Sequence, residues 1–128
     1  MKIEELFSVK DKVAVVTGGS RGIGEMIASA YLANGATVYI TSRKADVCDA
    51  KAIELSERYN AQCTSLPSDL SSLEGIEKFV KEVEAFESGI DILVNNAGAA
   101  WAEPIDAFSE KGWDKVMDLN VKSVFFST

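Results

Sequence analysis

Short apolar runs alternate along this chain with longer stretches in which apolar residues return every three or four positions. The runs at 12–17, 37–41, 62–66 and 91–95 predict four strands. The first contains Val13-Ala14-Val15-Val16 and the fourth Ile92-Leu93-Val94, near-continuous apolar sequences of the kind found in strands covered on both faces. Between the strands, Ile23, Met26, Ile27, Ala30 and Tyr31 share one helical face, and Asn34-Gly35 supplies a C-terminal stop. Cys48, Ala52, Leu55 and Tyr59 predict a second helix. Leu73, Ile76, Val80 and Val83 predict a third, opened by Ser71-x-x-Glu74, which has the form of a capping box. Ser109 stands as the cap of a fourth, in which Trp113, Val116, Met117, Asn120, Val121 and Val124 share a face. This alternation predicts an α/β fold: a parallel sheet with right-handed crossovers and helices on both faces. The fourth helical pattern is still running at Thr128, with no Gly, Pro or basic last turn to stop it. We therefore expect a chain truncated within that helix.

Composition narrows the picture. The chain has 128 residues with no repeat or linker, which suits a single domain. Hydrophobic residues at 47% and charged residues at 26% predict a globular chain with a real core. The net charge of −7 and the absence of histidine argue against nucleic acid as a partner, while leaving room for a local basic pocket. Cys48 and Cys63 lie far apart and have no metal-site spacing. A disulfide between them is unneeded in so apolar a chain, so reduced thiols are expected, and no metal. The acidic start Met-Lys-Ile-Glu-Glu is unlike a signal peptide, and no apolar run approaches membrane length. A cytoplasmic protein without a membrane partner is the expectation.

Three segments carry candidate chemistry. Between the first strand and first helix stands Thr17-Gly18-Gly19-Ser20-Arg21-Gly22-Ile23-Gly24. Glycines at such a junction permit a sharp turn, close approach of backbone amides to a pyrophosphate, and close helix packing. The helix N-terminus behind them attracts phosphate. An ordinary strand–helix loop is the alternative, but the flanking strand and helix favour a dinucleotide site. At the end of the second strand, about 20 residues further on, an NAD site usually places a carboxylate on the ribose. This chain reads Thr41-Ser42-Arg43-Lys44 there, and the first acid is Asp46. Arg43 suits a ribose 2′-phosphate, with Arg21 as a second cation, and the position favours NADP(H) over a merely solvated basic pair. After the fourth strand comes Asn95-Asn96-Ala97-Gly98, small and polar where such sheets bind ligands, although Asn and Gly also form plain turns.

Together these segments resemble the short-chain dehydrogenase/reductase family, and the likeness runs through the whole chain. The family's TGxxxGxG pattern matches Thr17 to Gly24, its NNAG matches Asn95 to Gly98, its acidic adenine contact matches Asp69, and its helix asparagine matches Asn120. The resemblance implies a Rossmann-type, doubly wound sheet with strand order 3-2-1-4 present and later strands absent. It implies that residues 1–128 form the dinucleotide-binding half of a single-domain oxidoreductase that interconverts a carbonyl and an alcohol. It also implies roles: Gly18, Ser20, Arg21, Gly22, Ile23 and Gly24 along the phosphates, and Arg43 on the 2′-phosphate. Asp69 and Leu70 would meet the adenine, and Asn95, Ala97 and Gly98 the ribose side. Asn120 is implied as the catalytic-side residue, ordering a water of a proton relay mainly through its backbone carbonyl. Its plainer reading is a polar interruption of a helix face. Trp101 with Gly112-Trp113-Asp114-Lys115-Val116-Met117 further resembles β-ketoacyl reductases of the rhamnolipid type, and Trp101 serves equally as a packing residue.

One departure stands out. The family's chemistry uses a serine and a Tyr-x-x-x-Lys pair, but Tyr31 is followed four later by Gly35, Tyr39 by Arg43 and Tyr59 by Cys63. Without that proton donor the 128 residues alone are expected to be inactive. A non-catalytic NADP-binding module and a self-associating remnant are the competing readings. In the family's strand order the fourth strand is interior, so an open edge there predicts a homo-oligomer.

Overall fold

The computed structural model of the chain describes residues 2–128. A short helix α1 (Ile3–Leu6) precedes strand β1 (Val13–Thr17). Helix α2 (Gly22–Ala33), strand β2 (Thr37–Thr41), helix α3 (Ala45–Tyr59), strand β3 (Cys63–Ser65), helix α4 (Leu73–Phe86) and strand β4 (Ile92–Val94) then alternate. The last part holds a 3-10 turn (Ile105–Ala107), helix α5 (Glu110–Met117), a wide π turn (Asp118–Lys122) and helix α6 (Ser123–Ser127). The strands pair in parallel in the order β3-β2-β1-β4. That is the Rossmann-type order the family resemblance implied.

The two-residue period of the strands sorts their side chains into two cores. Ala14, Val16, Val38 and Ile40 are buried with Ala28 and Leu32 of α2 and Cys48, Ala52 and Leu55 of α3. Val15 and Tyr39 lie in the opposite layer with Ile76, Phe79 and Val83 of α4, joined by Leu66 and Leu70. Both cysteines are free thiols, and burial pushes the Cys63 thiol up to about 12. Asp91 ties the start of β4 to β1: its carboxylate accepts the Val13 N–H at 2.9 Å and the Lys12 ammonium at 3.1 Å. Those bonds, the Val13 amide foremost, hold the Asp91 carboxyl below the usual range. Among the described residues no helix is long and apolar enough to cross a membrane.

Three local expectations are corrected. The buried face of α2 is not that of Ile23, Met26, Ile27, Ala30 and Tyr31: Ala28 and Leu32 are buried, while Ile23 is 65% exposed and Met26 63%. Helix α4 is capped by Ser72, whose hydroxyl accepts the Gly75 N–H, and not by a box from Ser71, because Ser71 is already bonded to Asp69. The fourth helical pattern is not one continuous α-helix. Ser109 caps α5 as expected, with its hydroxyl on the Gly112 N–H, but the π turn then shifts the register before α6. The shared face is correspondingly open: Trp113 is 59% exposed and Phe125 74%, and among the described residues β4 pairs only with β1.

Candidate nucleotide site

The ends of β1, β2 and β4 open with their following loops onto one cleft of about 480 Å³. Its floor is built by backbone and short polar side chains. The buried Thr17 hydroxyl donates to the Val94 carbonyl at 3.2 Å and accepts the N–H groups of Asn96 at 3.0 Å and Ala97 at 2.9 Å. Asn96 returns the link, its side-chain amide donating to the carbonyls of Thr17 at 2.9 Å and Gly18 at 3.3 Å. The chain can turn away from β1 because Gly18 takes a φ of 67°, open to glycine. A Cβ at Gly24 would run into the Gly18 carbonyl oxygen, so a side chain there would push α2 off the loop. Gly22, by contrast, has no atom within 4 Å of where its Cβ would stand.

That geometry makes the start of α2 a candidate anion site. Arg21, the N-cap of α2, has extended backbone and makes no side-chain cap bond to the first turn. Free N–H groups at the positive end of a helix dipole attract phosphate oxygens. The cations Arg21, Arg43 and Lys44 line the same cleft, and no carboxylate is among its lining residues. Asp69 stands just outside. Its carboxylate accepts the Ser71 hydroxyl at 2.7 Å and the Ser71 N–H at 3.0 Å. The Ser71 hydroxyl most of all, then the Ser71 amide and the Arg43 charge, lower its pKa.

The far wall is held by Asn120. Its side chain accepts the Ala99 N–H and donates to the Ala99 carbonyl, both at 2.8 Å, pinning the loop after Gly98 to the π turn. Wide turns of this kind often mark functional positions in helices. Trp101 packs on α5, where a Cβ at Gly112 would strike its ring, and the Lys115 ammonium lies 4.8 Å from that ring's centre. The packing reading of Trp101 is the one its contacts support.

Of the residues singled out from sequence, Gly18, Ser20, Arg21, Gly22, Ile23, Gly24, Arg43, Leu70, Ala97 and Gly98 line the cleft. Three do not. Asp69 is engaged by Ser71, Asn95 is exposed with its amide 3.4 Å from the Thr128 hydroxyl, and Asn120 contributes through Ala99 while its neighbour Leu119 lines the wall. Thr41, Ser42, Lys44, Val47, Ser68 and Asn96 line it without having been singled out. For Asn96 the sequence signalled only that one of two adjacent asparagines after a strand turns toward β1 and the other away, not which. Chemically, the cleft can bind an extended polyanion, and no tyrosine lines it to donate a proton.

Comparison with known proteins agrees with this geometry. The model of the family described as short chain dehydrogenase matches residues 12–128. The chain is 44% identical over 119 residues to a rhamnolipids biosynthesis 3-oxoacyl-[acyl-carrier-protein] reductase of Pseudomonas aeruginosa, covering 93% of this chain and 46% of that protein. It is 40% identical over 119 residues to an NAD-dependent glycerol dehydrogenase of Listeria innocua, covering 93% and 45%. Among solved structures, a Pseudomonas aeruginosa RhlG/NADP active-site complex superposes with a TM-score of 0.89 at 45% identity, covering 94% of this chain and 46% of that one. The chain thus spans about half the length of the curated relatives it matches.

Proposed function

The chain belongs to the short-chain dehydrogenase family, and on that premise we propose that it is the NADP(H)-binding portion of an oxidoreductase that interconverts a carbonyl and an alcohol. The observation that carries this reading is the cation cluster of Arg21, Arg43 and Lys44, with no carboxylate among the cleft residues, beside the uncapped start of α2. The residues present fit a dinucleotide bearing a 2′-phosphate. Free N–H groups at α2 and the open space over Gly22 would take the pyrophosphate, Arg43 with Arg21 the 2′-phosphate, and Leu70 the adenine face. Relatives include both an NADP complex and an NAD-dependent enzyme, and Arg43 at the end of β2 supports the NADP(H) reading here. When bound, a nicotinamide supplies or accepts a hydride. This chain's own residues hold it: Asn96 and Thr17 fix the glycine loop, and Ala97 and Gly98 leave space on the ribose side. Asn120, by anchoring Ala99, sets the wall beside which the reaction would take place.

A Tyr-x-x-x-Lys pair does not occur in these 128 residues. General acid catalysis is typically worth about 10²–10⁴-fold, so the residues described here supply binding and the proton donor lies outside them. A binding module without chemistry is the second reading that this same fact supports. Fluorescence titration of the chain with NADPH and with NADH is the test, followed by a turnover assay with a diketone. Tighter binding of NADPH by at least about tenfold, without turnover, is expected. Equal affinity for the two, or measurable NADPH oxidation, would overturn the reading.

A further inference from the structure

Outside the cleft, a chain of four alternating charges joins two helices. Lys51 of α3 donates to Glu25 of α2 at 2.9 Å and to Glu54 at 2.6 Å, and Arg58 donates to the other Glu54 oxygen at 3.0 Å. Three of these charges belong to one helix surface, where such pairs are common and individually weak. The Glu25–Lys51 link is different. It crosses between elements, and both side chains are mostly shielded from solvent, with 26% and 19% exposure.

Glu25 is also in an unusual place. It is the acid in the first turn of α2, next to Gly24, which lines the cleft. An α-helix rises about 1.5 Å per residue, so Glu25 stands about 4.5 Å along the axis from the first residue of α2, within the same turn as the N–H groups that would meet a pyrophosphate. A carboxylate there is attracted by the helix dipole and repels a second anion at the same end. In the structure it neither caps the helix nor lines the cleft, and its carboxylate is paired with Lys51 on the side that faces α3. The Glu54 and Glu25 bonds raise the Lys51 pKa, so the lysine keeps its charge across the physiological range.

We propose that Lys51 is a positioning residue for nucleotide affinity, neutralising Glu25 and holding it away from the phosphate-binding start of α2. The proposal rests on the nucleotide reading of the cleft, and it places a determinant of affinity on the far side of the helix. Loss of Lys51 leaves Glu25 and Glu54 with Arg58 as the only cation of the network. The Glu25 charge, no longer neutralised, would then repel a phosphate at the same end of the helix.

The experiment is a double-mutant cycle on the whole chain, titrated with NADPH at low and high KCl, with thermal melts to follow folding. Lys51→Met should weaken NADPH about threefold to tenfold at low salt, with a smaller loss at high salt. Glu25→Gln should bind at least as tightly as the parent. The double variant should return to within about twofold of Glu25→Gln. A loss that persists unchanged in the double variant, or in high salt, would assign Lys51 a merely structural role and overturn the proposal. NADPH binding by the parent that is indifferent to Lys51→Met would overturn this inference alone. No NADPH binding by the folded parent would overturn both it and the nucleotide reading.

Discussion

Replacing Thr17 by valine removes one hydroxyl while keeping the side chain's volume, and it should loosen the junction on which the cleft is built. Thr17 is 2% exposed, and its Oγ1 is bonded to the Val94 carbonyl and to the amides of Asn96 and Ala97. The Asn96 N–H also reaches the Val94 carbonyl at 3.0 Å, so those two groups keep a partner in the variant. The Ala97 N–H does not share in that contact. One part-buried amide left without a partner costs about 1–3 kcal/mol, so a destabilisation near 2 kcal/mol is expected. In a domain of this size that lowers the melting temperature by roughly 6–12 °C. Thr17→Ser is the control: it keeps the hydroxyl and removes one methyl, worth about 0.8 kcal/mol. Urea and thermal denaturation of parent and both variants would measure the order. A valine variant as stable as the parent, or a serine variant less stable than the valine, would show that packing and not the hydroxyl fixes the loop.

Two further outcomes follow from geometry already described. The buried Tyr39 phenol donates to Glu87 at 2.6 Å, and burial first, then that carboxylate, push its pKa from 10.0 up to about 12. The fold therefore favours the protonated phenol. Its contribution is complete below the unfolded pKa and is lost as pH rises toward 12. Alkaline melts of Tyr39→Phe should fall less steeply over that window than those of the parent, and identical slopes would assign the loss to other groups. The open β4 edge and the exposed Trp113, Val121, Val124, Phe125 and Phe126 should make the chain self-associate, which sedimentation over a concentration series would measure. A monomer at every concentration would contradict this.

What the sequence made legible was whatever depends on neighbouring residues in the chain. Continuous apolar runs located β1, β2 and β4, and the spacing of Cys48, Ala52 and Leu55 located the buried face of α3. Glycine spacing located the tight turn between β1 and α2, because the need for a left-handed φ at Gly18 and for no side chain at Gly24 is written in the residue type. What stayed hidden depends on competition between distant groups. Ser71 and Ser72 are equally good caps on paper, and only Asp69, by taking Ser71, leaves the task to Ser72. The same bond engages the Asp69 carboxylate, which is not among the residues lining the cleft. Asn95 and Asn96 differ only in which side of the strand end faces Thr17. The π turn at Asp118–Lys122 has no periodic signature. It forms where Asn120 is bonded to Ala99, 21 residues back, a contact no local pattern could announce.

In the proposed reading the choice between the two cofactors rests chiefly on Arg43 at the end of β2, and its reversal is the most direct measurement. Dissociation constants for NADPH and NADH should be determined for the chain and for Arg43→Asp, with folding checked by melting. Charge-assisted hydrogen bonds contribute about 1.5–3 kcal/mol, and the new carboxylate would meet a ribose hydroxyl in NADH but repel the 2′-phosphate of NADPH. The parent should prefer NADPH, and the variant should prefer NADH, the ratio shifting by at least about tenfold. An unchanged ratio in a folded Arg43→Asp chain would contradict the assignment of the end of β2 as the 2′-phosphate site.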